Sequence, residues 1–375
     1  MSEALDVVGL MAGTSVDGID ATWVTTDGET LTRRGLGGTF PYRPETLAGI
    51  REAIATGAWT ATSRGALAPL ERLIAEDHAA AVAALLRDGA RRPALLGFHG
   101  QTVFHDPAAG VSLQLGDAAA LAALSGIDTV HDFRSADVAR GGEGAPLAPI
   151  YQCAVLERLT VPEPALALNL GGVGNIGGAI DGTMIGFDTG PGNALMDDLV
   201  RARTGRAYDE GGALAARGRP DPGIVRAVLD DPFFTRPPPR SLDRQAFAAS
   251  PALAALSSLP LPDALATLAA ITVTATVRSL AFLPRMPRTL VVGGGGQHNR
   301  TVIGGLRQAF DGEVHRADDL GLPGDLLEAE LVAFLAVRHR RGLPTTFPST
   351  TGVDAPCCGG RTVRAPSSRE RGARP

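Results

Sequence analysis

The sequence predicts an α/β protein of two lobes built on one repeated plan, and three observations carry that expectation. Short apolar runs alternate with segments whose apolar residues recur at helical spacing, the pattern of strands joined by helices. The order strand, glycine-rich hairpin, strands, helix occurs twice, with MAGTSVDGID and NLGGVGNIG as the related hairpins. A chain of 375 residues has room for two such lobes. The expected boundaries are 1–150 for the first lobe and 151–354 for the second. Residues 355–375, rich in Pro, Ser, Arg and Gly, are expected to be a disordered tail.

The first lobe opens with a strand over 5–11, a glycine turn, a second strand over 19–24 and a third over 29–35. Amphipathic helices are expected over 44–56 and 64–86. Strands follow over 94–98 and 111–115, then a helix over 117–125 and a strand over 127–131. The loop DFRSADVARGGEGAPLAP comes next, and a crossover helix starts near Ile150. The second lobe repeats the opening with an apolar strand over 165–170, the turn GGVGN and a return strand over 176–180. FDTGPGN then heads a helix over 194–204. Further helices are expected over 223–229, 260–281 and 301–310, with a strand over 289–292 running into four glycines. A last helix over 325–341 carries Leu326, Leu327, Leu331 and Phe334 on its apolar side.

Composition narrows the function. The formal charge is −5 with no long basic stretch before the C-terminal tail, which argues against nucleic acid as the main partner. No run of about 18 uninterrupted apolar residues occurs, and acidic residues stand near the N-terminus where a signal peptide carries positive ones. No membrane span or leader is therefore expected, and the cytoplasm is the expected compartment. Cys153, Cys357 and Cys358 give neither a disulfide framework nor a zinc spacing. All 35 basic residues are arginine. Without lysine there is no Walker A loop, no protein-kinase strand lysine and no Schiff base. A nucleotide here has to be held by backbone amides, hydroxyls, arginine and metal.

Four segments suit that task. Gly13, Thr14, Ser15, Val16, Asp17, Gly18, Ile19 and Asp20 form a tight turn between two strands, where clustered amides and hydroxyls cradle phosphate oxygens and Asp17 holds Mg²⁺ directly or through water. The same residues also make an ordinary β-hairpin. In FDTGPGN, Asp188 ends a short strand, Gly190, Pro191 and Gly192 turn, and Asn193 sits at a helix N-cap, giving a second anion site with Thr189 beside it. Two such loops from two lobes are what a nucleotide clamp requires. Gly293, Gly294, Gly295 and Gly296 leave backbone bare for a flat ring, or serve as a connector. Asp132 follows an apolar strand, so it sits at a carboxyl end, where α/β sheets place ligands and where a proton-accepting carboxylate is needed. Arg134 suits bidentate binding of a carboxylate or phosphate, or an ion pair with Asp132. Asp137 suits a helix cap. His99, His105 and Asp106 lack metal spacing; His99 fits a strand end, with Gly100, Gln101 and Thr102 against substrate. Glu328 opens the last helix, either facing ligand or as a solvated first-turn acid.

In order, MAGTSVDGID, GFHGQTVFHD, LQLGDAAALA, HDFRSADVARGGEGAPLAP, LNLGGVGNIG, FDTGPGNALMDD, VVGGGGQHNR and GLPGDLLEAELVAFLA resemble the anhydro-N-acetylmuramic acid kinase family across roughly residues 5–354. The resemblance implies a two-lobed actin-like ATPase (ribonuclease H-like) fold, duplicated, with nucleotide in the interlobe cleft. It implies an enzyme using ATP and Mg²⁺ that opens the 1,6-anhydro ring with water while phosphorylating the 6-oxygen, in bacterial peptidoglycan recycling. By match, Asp132 is the base, Glu328 assists, 13–20 and 188–193 hold phosphates, and 293–296 the adenosine. Asp17 and Asp188 serve the metal, and Gln101, Thr102, Arg134, Asn169 and Gly171 stand as candidate substrate contacts. A homodimer is compatible with the family. Ala12, Leu242-Asp243 and the tail after Asp354 depart from its pattern. The other readings are a kinase for another sugar and a non-catalytic actin-like nucleotide-binding module.

Overall fold

The structure, a computed structural model, describes residues 3–366 apart from 14, 15, 17, 58–63, 88–91, 107, 108, 243–246 and 249. The chain divides into two compact units, one of Met1–Leu147, Glu328–Pro348 and Gly352–Pro375, the other of Ala148–Leu327 and Ser349–Thr351.

In the first unit, β1 (Leu5–Ala12), β2 (Ile19–Thr26) and β3 (Leu31–Phe40) run antiparallel in sequence. On the other side of β1, β4 (Leu95–Asp106) pairs parallel, and β6 (Thr129–His131) pairs parallel with β4, while β5 (Val111–Leu115) folds back on β4 as a hairpin. The second unit has β7 (Ala165–Leu170), β8 (Val173–Ile180) and β9 (Thr183–Pro191) antiparallel, then β10 (Thr289–Gly293) parallel to β7 and β11 (Glu313–Arg316) parallel to β10. Three antiparallel strands followed by two parallel ones therefore occur twice. The repeat expected from the hairpins is a repeat of hydrogen-bond topology.

Strand periodicity decides what covers each face of the first sheet. Val8, Leu10, Leu96 and Phe98 point into one apolar cluster with Ile74 of the Ala68–Leu85 helix. The alternate positions Gly9 and Gly97 point the other way, against the Leu327–Arg340 helix. A Cβ at Gly9 would stand 1.9 Å from the Ala329 carbonyl oxygen, and one at Gly97 2.5 Å from that of Val332. The helix seats its backbone on the strands because both positions lack a side chain. This moves residues 328–348, expected in the second lobe, into the first unit.

Three further expectations are corrected. The strand expected over 94–98 continues to Asp106, because β5 supplies an antiparallel partner along its second half. β9 runs through Asp188 to Pro191 in place of a turn at 190–192. The expected disordered tail contains β12 (Arg361–Val363), which pairs antiparallel with β6, Arg361 opposite His131; residues 367–375 lie outside the described ones. The polar β11 also went unread.

The Leu261–Ser279 helix, extended through Phe282, is long and apolar enough to cross a membrane, with a mean hydropathy of 1.6. Leu265, Leu268, Ile271 and Ala275 instead bury themselves in the core of the second unit beside Leu166, Ile176 and Leu290. The apolar run is a core helix.

Candidate active site

In the first unit the β1–β2 turn is held from outside. Met11 pairs with Asp20, and Gly13 accepts a bond from the Val16 amide at 3.2 Å. Val16 adopts φ 56°, and a Cβ at Gly18 would meet the Phe40 carbonyl oxygen at 2.9 Å. Ile19 is buried, and Asp20 accepts from Thr39 Oγ1 at 2.6 Å on β3. Thr14, Ser15 and Asp17 lie outside the described residues. Gln101, expected against substrate, is 0% exposed: its Nε2 donates to the Gly13 carbonyl at 3.0 Å, and its Oε1 accepts from Tyr42 at 3.3 Å. It pins the turn. Thr102, half-buried beside it, pairs with Gln114 of β5.

Asp132 directly follows β6 and takes φ 57°, a left-handed conformation costing on the order of 1 kcal/mol for a residue with a side chain. Its carboxylate is 19% exposed, with Oδ2 3.1 Å from Arg361 Nε and Oδ1 3.4 Å from the Ser135 amide. Its carbonyl accepts from the Gly360 amide at 3.2 Å. The ion pair of Asp132 is thus with Arg361, where Arg134 was the expected partner. Arg134 Nε and Nη2 lie 3.2 and 3.1 Å from His99 Nε2, and Nη1 donates to the Gly144 carbonyl at 2.7 Å. The bidentate edge expected to take a substrate anion is turned onto His99. Burial, with the Arg134 charge added, pushes the His99 imidazole down to about 3, so it is neutral: Nδ1 donates to the Gly100 carbonyl at 3.0 Å and Nε2 accepts from Arg134. Asp137, fully buried, accepts from the Gly144 amide at 2.7 Å and so fixes the carbonyl that Arg134 uses. Glu328, half-buried, stands in the first turn of the Leu327–Arg340 helix, and two residues on Glu330 is buried on Arg33 Nε at 2.7 Å.

In the second unit three loops meet at the carboxyl ends of β7 and β10. The Asn193 amide donates to Gly171 at 2.7 Å and the Gly192 amide to Gly172 at 3.1 Å. A Cβ at Gly192 would stand 2.1 Å from the Gly171 carbonyl oxygen, so only glycine permits the approach. Asn193 occupies the N-cap position but its side chain makes no cap; Nδ2 donates instead to Leu170 at 3.1 Å. Gly190 packs its α-carbon beside Phe234 and Ala275, with Thr189 buried next to it. Gly294 and Gly296 press onto Asn169 and Leu170, where a Cβ would come within 2.5 and 2.4 Å, and Gly293 faces Leu327. The bare surface expected of all four glycines thus reduces to Gly295, which is exposed.

The sequence reading missed the residue that aims Asp188. Arg240, 1% exposed, donates from Nε to the Asp188 carbonyl at 3.0 Å, from Nη1 to Phe233 and Arg236 carbonyls, and from Nη2 to Ser279 Oγ at 2.8 Å. Its guanidinium lies over the rings of Phe187, Phe233 and Phe282 at 5.3, 4.8 and 4.9 Å. Burial lowers its pKa to about 10, which leaves it charged at neutral pH. The neighbouring Leu242 amide donates to Asp188 Oδ2 at 2.8 Å, a contact that any residue with an N–H supplies. The departure at Leu242 therefore leaves this bond intact. The signal was a lone arginine after three prolines. Among the described residues no three His, Cys, Asp or Glu side chains gather as a metal cluster.

Two sheets with the same order of three antiparallel and two parallel strands, each with a hairpin at its first turn, make the duplicated α/β plan expected of an actin-like fold. The family model for anhydro-N-acetylmuramic acid kinase matches residues 5–364. The chain belongs to the anhydro-N-acetylmuramic acid kinase family, and it is a kinase. It is 45% identical over 361 residues to the anhydro-N-acetylmuramic acid kinase of Acidiphilium cryptum, covering 96% of this chain and 98% of that one. To that of Rhodopseudomonas palustris it is 44% identical over 370 residues, covering 96% and 100%. Among solved structures, component A of the Acidaminococcus fermentans (R)-2-hydroxyglutaryl-CoA dehydratase is similar at 12% identity and a TM-score of 0.46, covering 89% of this chain and 98% of that chain. The family match runs through β12 to residue 364, so the first part of the segment after Asp354, read from the sequence as departing from the family, lies within it.

Proposed function

We propose that this kinase transfers the γ-phosphoryl group of ATP to the 6-oxygen of 1,6-anhydro-N-acetylmuramic acid while water opens the ring, giving N-acetylmuramic acid 6-phosphate and ADP. Beside family membership, the observation that carries the chemical reading is Asp132: a carboxylate at the end of a parallel strand, held in a left-handed conformation and open to solvent on one side. Water adds to the anomeric carbon as its proton passes to Asp132. The bond from that carbon to the 6-oxygen breaks, the 6-oxygen bonds the γ-phosphorus, and the bond from phosphorus to ADP breaks. Glu328, at the start of its helix, assists at the sugar, and Thr102 on β4 is a proposed sugar contact.

In the first unit the 13–20 turn is the proposed phosphate contact. In the second, the 189–193 segment is the proposed phosphate contact and the exposed backbone at Gly295 the proposed adenosine contact, and Asn169 and Gly171 keep that loop cluster together. For Mg²⁺ the proposal keeps Asp188 in the second unit, acting through water because the Leu242 amide fixes one of its oxygens, and names Asp17 from its place in the sequence. When bound, the ion neutralises charge on the transferring phosphate. The product suits bacterial peptidoglycan recycling in the cytoplasm, and a homodimer is the proposed assembly.

The test is ADP release from Mg-ATP with this sugar, beside Asp132→Asn. Sugar-dependent turnover that falls about 10²-fold or more in the variant, with sugar binding kept, supports both substrate and base. Turnover left intact in the variant removes Asp132 from the role.

A further inference from the structure

Strand β12 lies in a polar stretch, yet its placement is built in detail. A Cβ at Gly359 would stand 2.3 Å from the Phe133 carbonyl oxygen, and one at Gly360, where φ is 106°, 2.9 Å from the His339 ring. His339 bonds the Gly359 carbonyl at 3.0 Å and the Thr362 hydroxyl at 3.1 Å. The Gly359 amide donates to Thr345 Oγ1 at 2.8 Å, and Val363 packs on the first unit's core. What this anchoring delivers is Arg361, whose Nε lies 3.1 Å from Asp132 Oδ2 while the side chain is 73% exposed. An ion pair that exposed adds little to stability, so folding alone gives no reason to put it there.

Two arginines follow or face the reactive carboxylate in this unit, and their guanidinium groups are used differently. Arg134 spends its bidentate edge on His99 and also donates to the Gly144 carbonyl. Arg361 keeps most of its surface in water and is held by a contact that another carboxylate can replace. The proposed substrate carries such a group on its lactyl ether, on the same ring whose anomeric carbon Asp132 addresses.

We infer that Arg361 reads the lactyl carboxylate of the substrate, exchanging its ion pair with Asp132 for one with the sugar. The inference rests on the reaction proposed above. The exchange uncovers Asp132 Oδ2 as the carboxylated sugar arrives, so the proton acceptor becomes available with that sugar in place. A neutral analogue leaves the pair closed.

Calorimetric binding to the full chain without nucleotide tests this, using 1,6-anhydro-N-acetylmuramic acid and its lactyl amide against wild type, Arg361→Gln and Arg361→Lys, with melting midpoints to confirm folding. Wild type is expected to bind the acid about tenfold to a hundredfold more tightly than the amide. Arg361→Gln loses that preference by weakening the acid alone, and Arg361→Lys keeps part of it. A preference that survives in Arg361→Gln, or an equal loss for both ligands, overturns the inference while the substrate assignment stands. Wild type binding neither sugar overturns the substrate assignment and this inference together, and the wild-type titration by itself identifies that case.

Discussion

The Asp188 loop takes its direction from Arg240, whose donors go to backbone carbonyls and Ser279. Arg240→Met leaves those acceptors buried and unpaired, at about 1–3 kcal/mol each before relaxation. The expected result is a lower denaturation midpoint and a KM for ATP that rises more than the KM for sugar; equal changes in both would reduce Arg240 to a fold residue. The buried imidazoles give a pH prediction. His99 is lowered to about 3 and His78 to about 4, both chiefly by burial, against about 6.5 when unfolded. Between those values the unfolded chain binds more protons, so stability is full above pH 6.5 and falls as pH drops toward 4 and then 3. Each ring contributes at most about 1.4 kcal/mol per pH unit. Urea midpoints from pH 7 to 4 check the sign, and a rising midpoint on acidification contradicts it. The place of Asp132 at the end of a strand was legible, because the apolar run before it marks the strand. Arg240 and Glu330 were not, since nothing local marks an ion as buried.

Among the elements, the Leu327–Arg340 helix illustrates why glycines need context. Gly9 has no positive φ, yet its neighbour's carbonyl would sit 1.9 Å from an added Cβ, whereas Gly182 has φ 75° and open space around it. Gly9→Ala is expected to destabilise by about 3 kcal/mol or more through helix displacement, and Gly182→Ala by about 1 kcal/mol through backbone strain alone. Chemical denaturation of the two variants checks the order, and a reversed order would mean that the helix is not seated there. From sequence, Gly9 sits inside an apolar run and gives no sign of a close approach. Gly182, in an Asp-Gly turn, is plain to read. Strands with apolar runs were legible, while β11 and β12 were not, because polar edge strands are selected by their partners.

At the scale of the molecule, each unit has its own apolar cluster, so each stability change predicted above belongs to the unit that carries the residue and is read from that unit's transition. A non-hydrolysable ATP analogue at about 100 times its Kd is expected to stabilise the state it binds by about 2.7 kcal/mol, read as a raised midpoint. No shift across a broad analogue titration would contradict nucleotide binding. The sequence by itself determined the repeated plan, the family and the positions of the glycine-rich turns, because hydrophobic period, glycine turns and motif order are local properties of the chain. Tertiary structure alone decided that residues 328–348 belong with the first unit, that Gln101 and Arg134 are occupied inside the protein, and that Arg361 reaches Asp132. Those facts depend on which surfaces meet across long sequence separations, and pairing of that kind is set by packing and backbone hydrogen bonds that no short window of residues contains.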